Sequence, residues 1–192
     1  IFISAIQAYD NAIEIFPKYA CDWNIKGDAL SNKYKYDEAI QAYDKAIQNN
    51  PKYAGAWNNK GDALNNQYKY DEAILAYDEA NHASDKAIEI NPKFALAWND
   101  KGNALYKQYK YYEATQAYDK AIEIDPQYAT AWRNKGLALG NQRKYDEAIQ
   151  AYDKAIEINP QFAQAWNDKG NALYVQYMYD EAIQAYDKAI EI

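Results

Sequence analysis

Acid–base, nucleophilic or metal chemistry requires imidazoles, thiols or clustered carboxylates at set spacings, and this 192-residue sequence has one His (His82), one Cys (Cys21) and one Met (Met178). His82 has Asp78 and Glu79 nearby in a segment of helical pattern. That reads as a solvated face rather than a metal site, since a protein-bound metal takes several converging donors. No nucleophile–base pair, phosphate-cradling glycine loop or metal-ligand spacing is present. No catalytic residue, cofactor or metal is expected, and the chain reads as a non-enzyme. The groups left for chemistry are amides and carboxylates that return at regular intervals: Asn24 and Asp28; Asn58, Asn59 and Asp62; Asn99, Asp100 and Asn103; Arg133 and Asn134; Asn167, Asp168 and Asn171. Asn both donates and accepts hydrogen bonds, so a row of them can hold a peptide backbone whatever its side chains.

The elements that carry these residues are repeats. The five Trp (Trp23, Trp57, Trp98, Trp132, Trp166) are spaced 34, 41, 34 and 34, and the five Pro (Pro17, Pro51, Pro92, Pro126, Pro160) follow the same spacings. Five Gly (Gly27, Gly61, Gly102, Gly136, Gly170) keep that rhythm. Two independent residue types with one shared irregularity define a period of 34 with one seven-residue insertion. The units are a half repeat 1–19 and repeats 20–53, 54–94 (with the insertion), 95–128, 129–162 and 163–192. Because the sequence opens inside a repeat and without Met, we expect it to be a piece of a longer protein.

Each unit predicts two helices, near 21–33 and 37–49 in the first. Trp23, Gly27 and Leu30 form one apolar stripe, and Ala39, Tyr43, Ala46 and Ile47 another. Asp37 and Glu38 suit the exposed N–H groups at the start of the second helix. Asn50–Pro51 stops it, because a residue before proline is pushed out of the helical region. Glycine costs about 1 kcal/mol inside a helix, so its return at five matching positions implies close packing of the two helices. With the half unit included, about 11 helices are expected. The insertion falls near Glu79–Asp85. Seven residues turn a helix through about 700°, some 20° short of two turns, so one continuous helix from about Asp71 to Ile90 is predicted, roughly 10 Å longer than its siblings.

Trp57, Gly61, Leu64, Ala73, Tyr77 and Pro92, and their counterparts in each complete unit, match the tetratricopeptide pattern of W, G, A, an aromatic and P. The chain resembles that family over its whole length. It departs in having Lys before each Gly (Lys26, Lys60, Lys101, Lys135, Lys169) and Leu where the family has Tyr. The Lys are expected to pack their stems and keep the ammonium wet. The resemblance implies an all-α, right-handed superhelical solenoid of antiparallel helix hairpins, with first helices lining a concave groove. It places the Asn and Asp stripe in that groove, with Asn59 and Asn134 at the position where relatives use an asparagine ladder on peptide backbones. The function it implies is protein–protein interaction, a scaffold holding a peptide or partner segment. Some relatives clamp a terminal carboxylate with basic residues, but here only Arg133 and Lys107 are basic on the stripe, among Asp28, Asp62, Asp100 and Asp168.

Net charge is −7 and the pI about 4.8. An acidic chain lacks the basic surface that phosphate backbones and anionic membranes require. Neither nucleic acid nor membrane is expected as partner, and a basic or polar peptide fits better than an acidic one. RNA binding, as in the similar but basic pentatricopeptide repeats, is an alternative opposed by this charge. The lone Cys suits a reducing, cytoplasmic setting. Self-assembly is a further alternative. The last helix, 180–192, presents Ala182, Ile183, Tyr186 and Ala189, and the first presents Phe2, Ile6 and Ile13, with no repeat to cover them. End-to-end association follows from that.

Overall fold

A computed structural model describes residues 13, 14 and 18–192. These form ten α-helices and no strand: α1 Ala20–Ser31, α2 Tyr36–Asn49, α3 Ala54–Asn66, α4 Tyr70–Ile90, α5 Ala95–Lys107, α6 Tyr111–Ile124, α7 Ala129–Asn141, α8 Tyr145–Ile158, α9 Ala163–Val175 and α10 Tyr179–Glu191. The helix expected before Ala20 falls largely outside the described residues, as do Phe2 and Ile6. The chain divides into two compact units, one ending at Pro92 and one spanning Lys93–Ile192. The first holds hairpins α1–α2 and α3–α4, and the second holds α5–α6, α7–α8 and α9–α10.

One contact recurs in every hairpin. The ring of Tyr43, Tyr77, Tyr118, Tyr152 or Tyr186, from the second helix, lies flat against a glycine of the first. A Cβ at Gly27 would stand 2.3 Å from Tyr43 Cε1, and one at Gly102 2.4 Å from Tyr118 Cε1. No real Cβ tolerates that distance. Tyr118 is 1% exposed. Around it pack Ala114, Ala117, Leu105 and, from the next hairpin, Ala138, with Trp98 at the margin. Ala39, Ala42 and Leu30 do the same around Tyr43 in the first unit. Alanine at these places lets the backbones approach, and the rings fill the remaining volume.

The first helices end earlier than the pattern suggests, α1 at Ser31 rather than 33 and the others by one residue. The turn is a Schellman motif: in the third hairpin Lys110 N donates to Leu105 O and Tyr109 N to Tyr106 O. The residue between, normally glycine, takes positive φ. Here it is Tyr34, Tyr68, Tyr109, Arg143 or Tyr177, all with φ between 61° and 64°. At the other end of each hairpin the residue before proline is extended, as at Asn50 (φ −143°, ψ 91°). The turn is pinned by the following tryptophan: Trp57 Nε1 donates to Pro51 O at 3.2 Å and Trp132 Nε1 to Pro126 O at 3.0 Å.

The family's missing leucine is explained here too. Each of the five lysines places Nζ over its own tryptophan ring, 5.3–5.7 Å from the centroid. Lys60 also pairs with Asp44 at 2.7 Å, Lys135 with Asp119 at 2.7 Å and Lys169 with Asp153 at 2.6 Å. A residue that packed only its stem would leave the ammonium in water; these reach the second helix of the preceding hairpin. In α4 the insertion is absorbed as helix, one residue longer at its start than Asp71–Ile90, with Ala73, Ala76, Tyr77, Ala80, Ala83 and Ser84 on one buried face.

Two glycines separate packing from propensity. Gly102→Ala is expected to lower stability by about 1–3 kcal/mol through overpacking against Tyr118. At Gly140 an added Cβ meets only Tyr152 Oη, at 4.0 Å, so Gly140→Ala should raise stability by up to about 1 kcal/mol through helix propensity. Urea denaturation of the two variants checks both signs.

Candidate functional site

The predicted polar stripe lies on the first helices, and in each unit the structure joins its members across adjacent hairpins. In the first unit Asn24 is buried and Asp28 partly so. Tyr43 Oη donates to Asp28 Oδ1 at 2.9 Å, and Asn59 Nδ2 donates to Asn24 Oδ1 at 3.2 Å and Asp28 Oδ1 at 2.9 Å. Burial raises the Asp28 carboxyl above its ordinary range, against the lowering effect of the Tyr43 bond. Burial and the Asp28 charge hold the Tyr43 phenol neutral. Asn58 is buried, and Tyr77 Oη donates to Asp62 Oδ1 at 2.7 Å.

The second unit repeats the arrangement. Tyr118 Oη donates to Asn103 Oδ1 at 3.0 Å, while Asn134 Nδ2 donates to Asn99 Oδ1 and Asn103 Oδ1, both at 3.1 Å. The rule is simple. The residue two after one tryptophan reaches the residues one and five after the tryptophan before it. Where the reaching residue is Asp168, which can only accept, its partner is Arg133, which can only donate. Arg133 Nε lies 2.6 Å from Asp168 Oδ2, and its guanidinium sits over the Phe162 ring. Burial raises the Asp168 carboxyl and the Arg133 charge opposes it. Burial also pushes Asp100 up to about 7, with a bond from Asn99 pulling the other way. Asn171 accepts from Tyr186 Oη at 2.8 Å, and Asn167 is exposed.

The stripe therefore has two layers. Asn59 and Asn134 use both amide hydrogens on the preceding hairpin. Their carbonyl oxygens receive no hydrogen bond from the described residues and can accept a peptide N–H. Arg133 gives its Nε–H to Asp168, so its charge is matched within the face. The outward layer holds Asn65 and Asn66 in the first unit and Thr130, Asn141 and Gln164 in the second, whereas Asn167 and Asn171 hold the places of Asn99 and Asn103 in the last hairpin and are exposed there. Sequence reasoning missed the tyrosine hydroxyls that orient Asp28, Asp62, Asn103 and Asn171. A constant offset of 15 residues was the available signal. His82 is exposed, no group of three or more metal-ligating side chains occurs among the described residues, and none of their helices is long and apolar enough to cross a membrane.

Tetratricopeptide repeat models match residues 26–88, 83–116, 129–162 and 151–184, and a TPR repeat model matches 102–143. The chain belongs to the tetratricopeptide repeat family, a class of helical repeat proteins that serve in protein–protein interaction. Two crystal structures of MamA are similar to it. One has 28% identity and a TM-score of 0.58 over 86% of this chain and 92% of that one; the other has 27% and 0.57 over 90% of each. YrrB, described as a TPR protein with an unusual peptide-binding site, shares the fold at 24% identity and a TM-score of 0.51, over 97% of this chain and 93% of its own. Among curated protein sequences none matches this chain.

The inner layer is structural and should behave so. Asn134→Ala removes the donor to both Asn99 and Asn103 and is expected to cost about 1–3 kcal/mol. Gln164→Ala, on the same face but exposed, should change stability by less than about 0.5 kcal/mol. Chemical denaturation distinguishes the two, and equal effects would refute the layering.

Proposed function

We propose that the chain is a protein-interaction scaffold whose first-helix face holds an extended segment of a partner. The observation that carries this is the set of exposed polar side chains on the first helices of the second unit, Thr130, Asn141 and Gln164, together with the Asn134 carbonyl oxygen that no described residue uses. Exposed amides over fixed acceptors suit a peptide backbone, which offers one N–H and one C=O per residue. The carboxylates on the face and the net charge of −7 favour a basic or polar segment over an acidic one.

The test is capture of partners from the source lysate by wild type and by Thr130→Ala/Asn141→Ala/Gln164→Ala, with circular dichroism showing equal folding. A partner held by wild type and lost by the variant supports the face. Equal retention by both moves the site elsewhere on the molecule.

A second reading, self-assembly, has its own observation. In α8 Ile156 is 8% exposed, packed against Ala165, Trp132 and Phe162, and Ile149 packs on Trp166 and Leu173. Their counterparts in α10, Ile183 and Ile190, are 56% and 82% exposed. Ala182 and Ile13 do not belong to such a surface: both are buried. In this reading Ile183 and Ile190 pack against a second copy. Light scattering should then show mass rising with concentration, and Ile183→Glu/Ile190→Glu should abolish the rise. A constant monomer mass refutes it.

A further inference from the structure

The fourth repeat breaks the tyrosine rule. Tyr43, Tyr77, Tyr118 and Tyr186 each donate to an Asp or Asn 15 residues earlier. The counterpart of that acceptor for Tyr152 is Leu137. Tyr152 is only 3% exposed, yet its hydroxyl bonds to no described residue. A second exchange lies beside the first. Tyr106 and Tyr174 stack edge-on against Tyr111 and Tyr179, with centroids 5.4 Å apart in both pairs. Gly140 stands at the matching place in the fourth repeat, facing Tyr145. The two exchanges open a pocket of about 170 Å³ between α7, α8 and α9, on the polar face, with Tyr152 among its lining residues.

Its walls are apolar at Leu137, Ala172 and Val175. Each of its polar side chains can accept a hydrogen bond, the Tyr145 and Tyr152 hydroxyls included. Asp168 is the one charged lining residue, and its Oδ2 already takes Arg133 Nε at 2.6 Å. Asn141 already uses its amide nitrogen on Tyr106 Oη and Leu137 O, both at 3.0 Å, and keeps its carbonyl oxygen. Asn171 Oδ1 takes the Tyr186 hydroxyl. A purely apolar guest would strip water from Tyr152 Oη and leave it without a partner, which is costly for a buried polar group. A carboxylate would bring no donor to Asn141 Oδ1. An alkyl stem ending in a cluster of donors satisfies both parts, and lysine has that form.

We propose that this pocket takes a lysine side chain of the bound segment, its stem along Leu137 and Val175 and its ammonium among Tyr152 Oη, Asn141 Oδ1 and Asp168. The assignment rests on the reading of the first-helix face as the peptide-binding face.

Amide NMR of the intact chain, titrated with blocked heptapeptides Gly-Ser-Asn-X-Asn-Ser-Gly where X is lysine, norleucine, tyrosine or glutamate, tests it. The lysine peptide should shift the amides of Gly140 and Asp168 and bind about tenfold or more tightly than the norleucine peptide. Leu137→Asn, which restores the acceptor for Tyr152, and Gly140→Tyr, which fills the pocket with the residue its neighbours carry, should each remove the lysine preference. If Leu137→Asn fails to fold, Gly140→Tyr decides alone. Norleucine, tyrosine or glutamate binding as well as lysine, or a preference that survives Gly140→Tyr, overturns the pocket while leaving the peptide-binding face intact. No shift on any first-helix amide with any of the four peptides overturns both.

Discussion

The close approach of a tyrosine ring to a bare glycine backbone is the constraint on which each hairpin depends. Any side chain at Gly27, Gly61, Gly102, Gly136 or Gly170 would occupy the ring's own volume. The same tyrosine serves two regions at once. Its ring closes the core between the two helices, and its hydroxyl emerges on the polar face to orient Asp28, Asp62, Asn103 or Asn171. Core and recognition surface are therefore not independent in this chain. A change in ring position would be felt by the acceptor at its tip.

A second regularity runs along the array rather than within a hairpin. Neighbouring first helices are joined by matched donors and acceptors, with the polarity free to reverse. Asn134 donates backward to Asn99 and Asn103, whereas Asp168 receives Arg133. The reversal shows why residues at these places need not be identical between repeats: what must be kept is complementarity between adjacent steps. Lys60, Lys135 and Lys169 add a link of the same kind on another side, from first helix to the preceding second helix.

Much of this was legible from the sequence because period and residue type carried it. The spacings of tryptophan, proline and glycine located every described helix, and the recurrence of glycine at a helix interior pointed to close packing. Helix ends were less legible. The stop at Ser31 depends on a Schellman turn with tyrosine in a left-handed conformation, a residue that gives no turn signal of its own. The polar stripe was located, but not its division into two layers. Amide groups look alike in a sequence, and only the neighbouring hairpin shows that Asn134 is bonded by it while Gln164 is left exposed. Ala182 was misjudged for a related reason: it sits on the face that packs on its own partner helix α9, one step round from Ile183.

The lengthened helix α4 shows how such an array can change its length without changing its face. Its buried residues keep one side from Ala73 to Ser84 because the added segment is close to a whole number of turns. Three or four extra residues would instead have rotated everything beyond them by about 60° or 40°, carrying apolar side chains into water. Insertions are thus admitted in quanta, near seven or eleven residues, and anything between is selected against by burial alone. The mutational history open to a second helix is a short ladder of permitted lengths rather than a continuum.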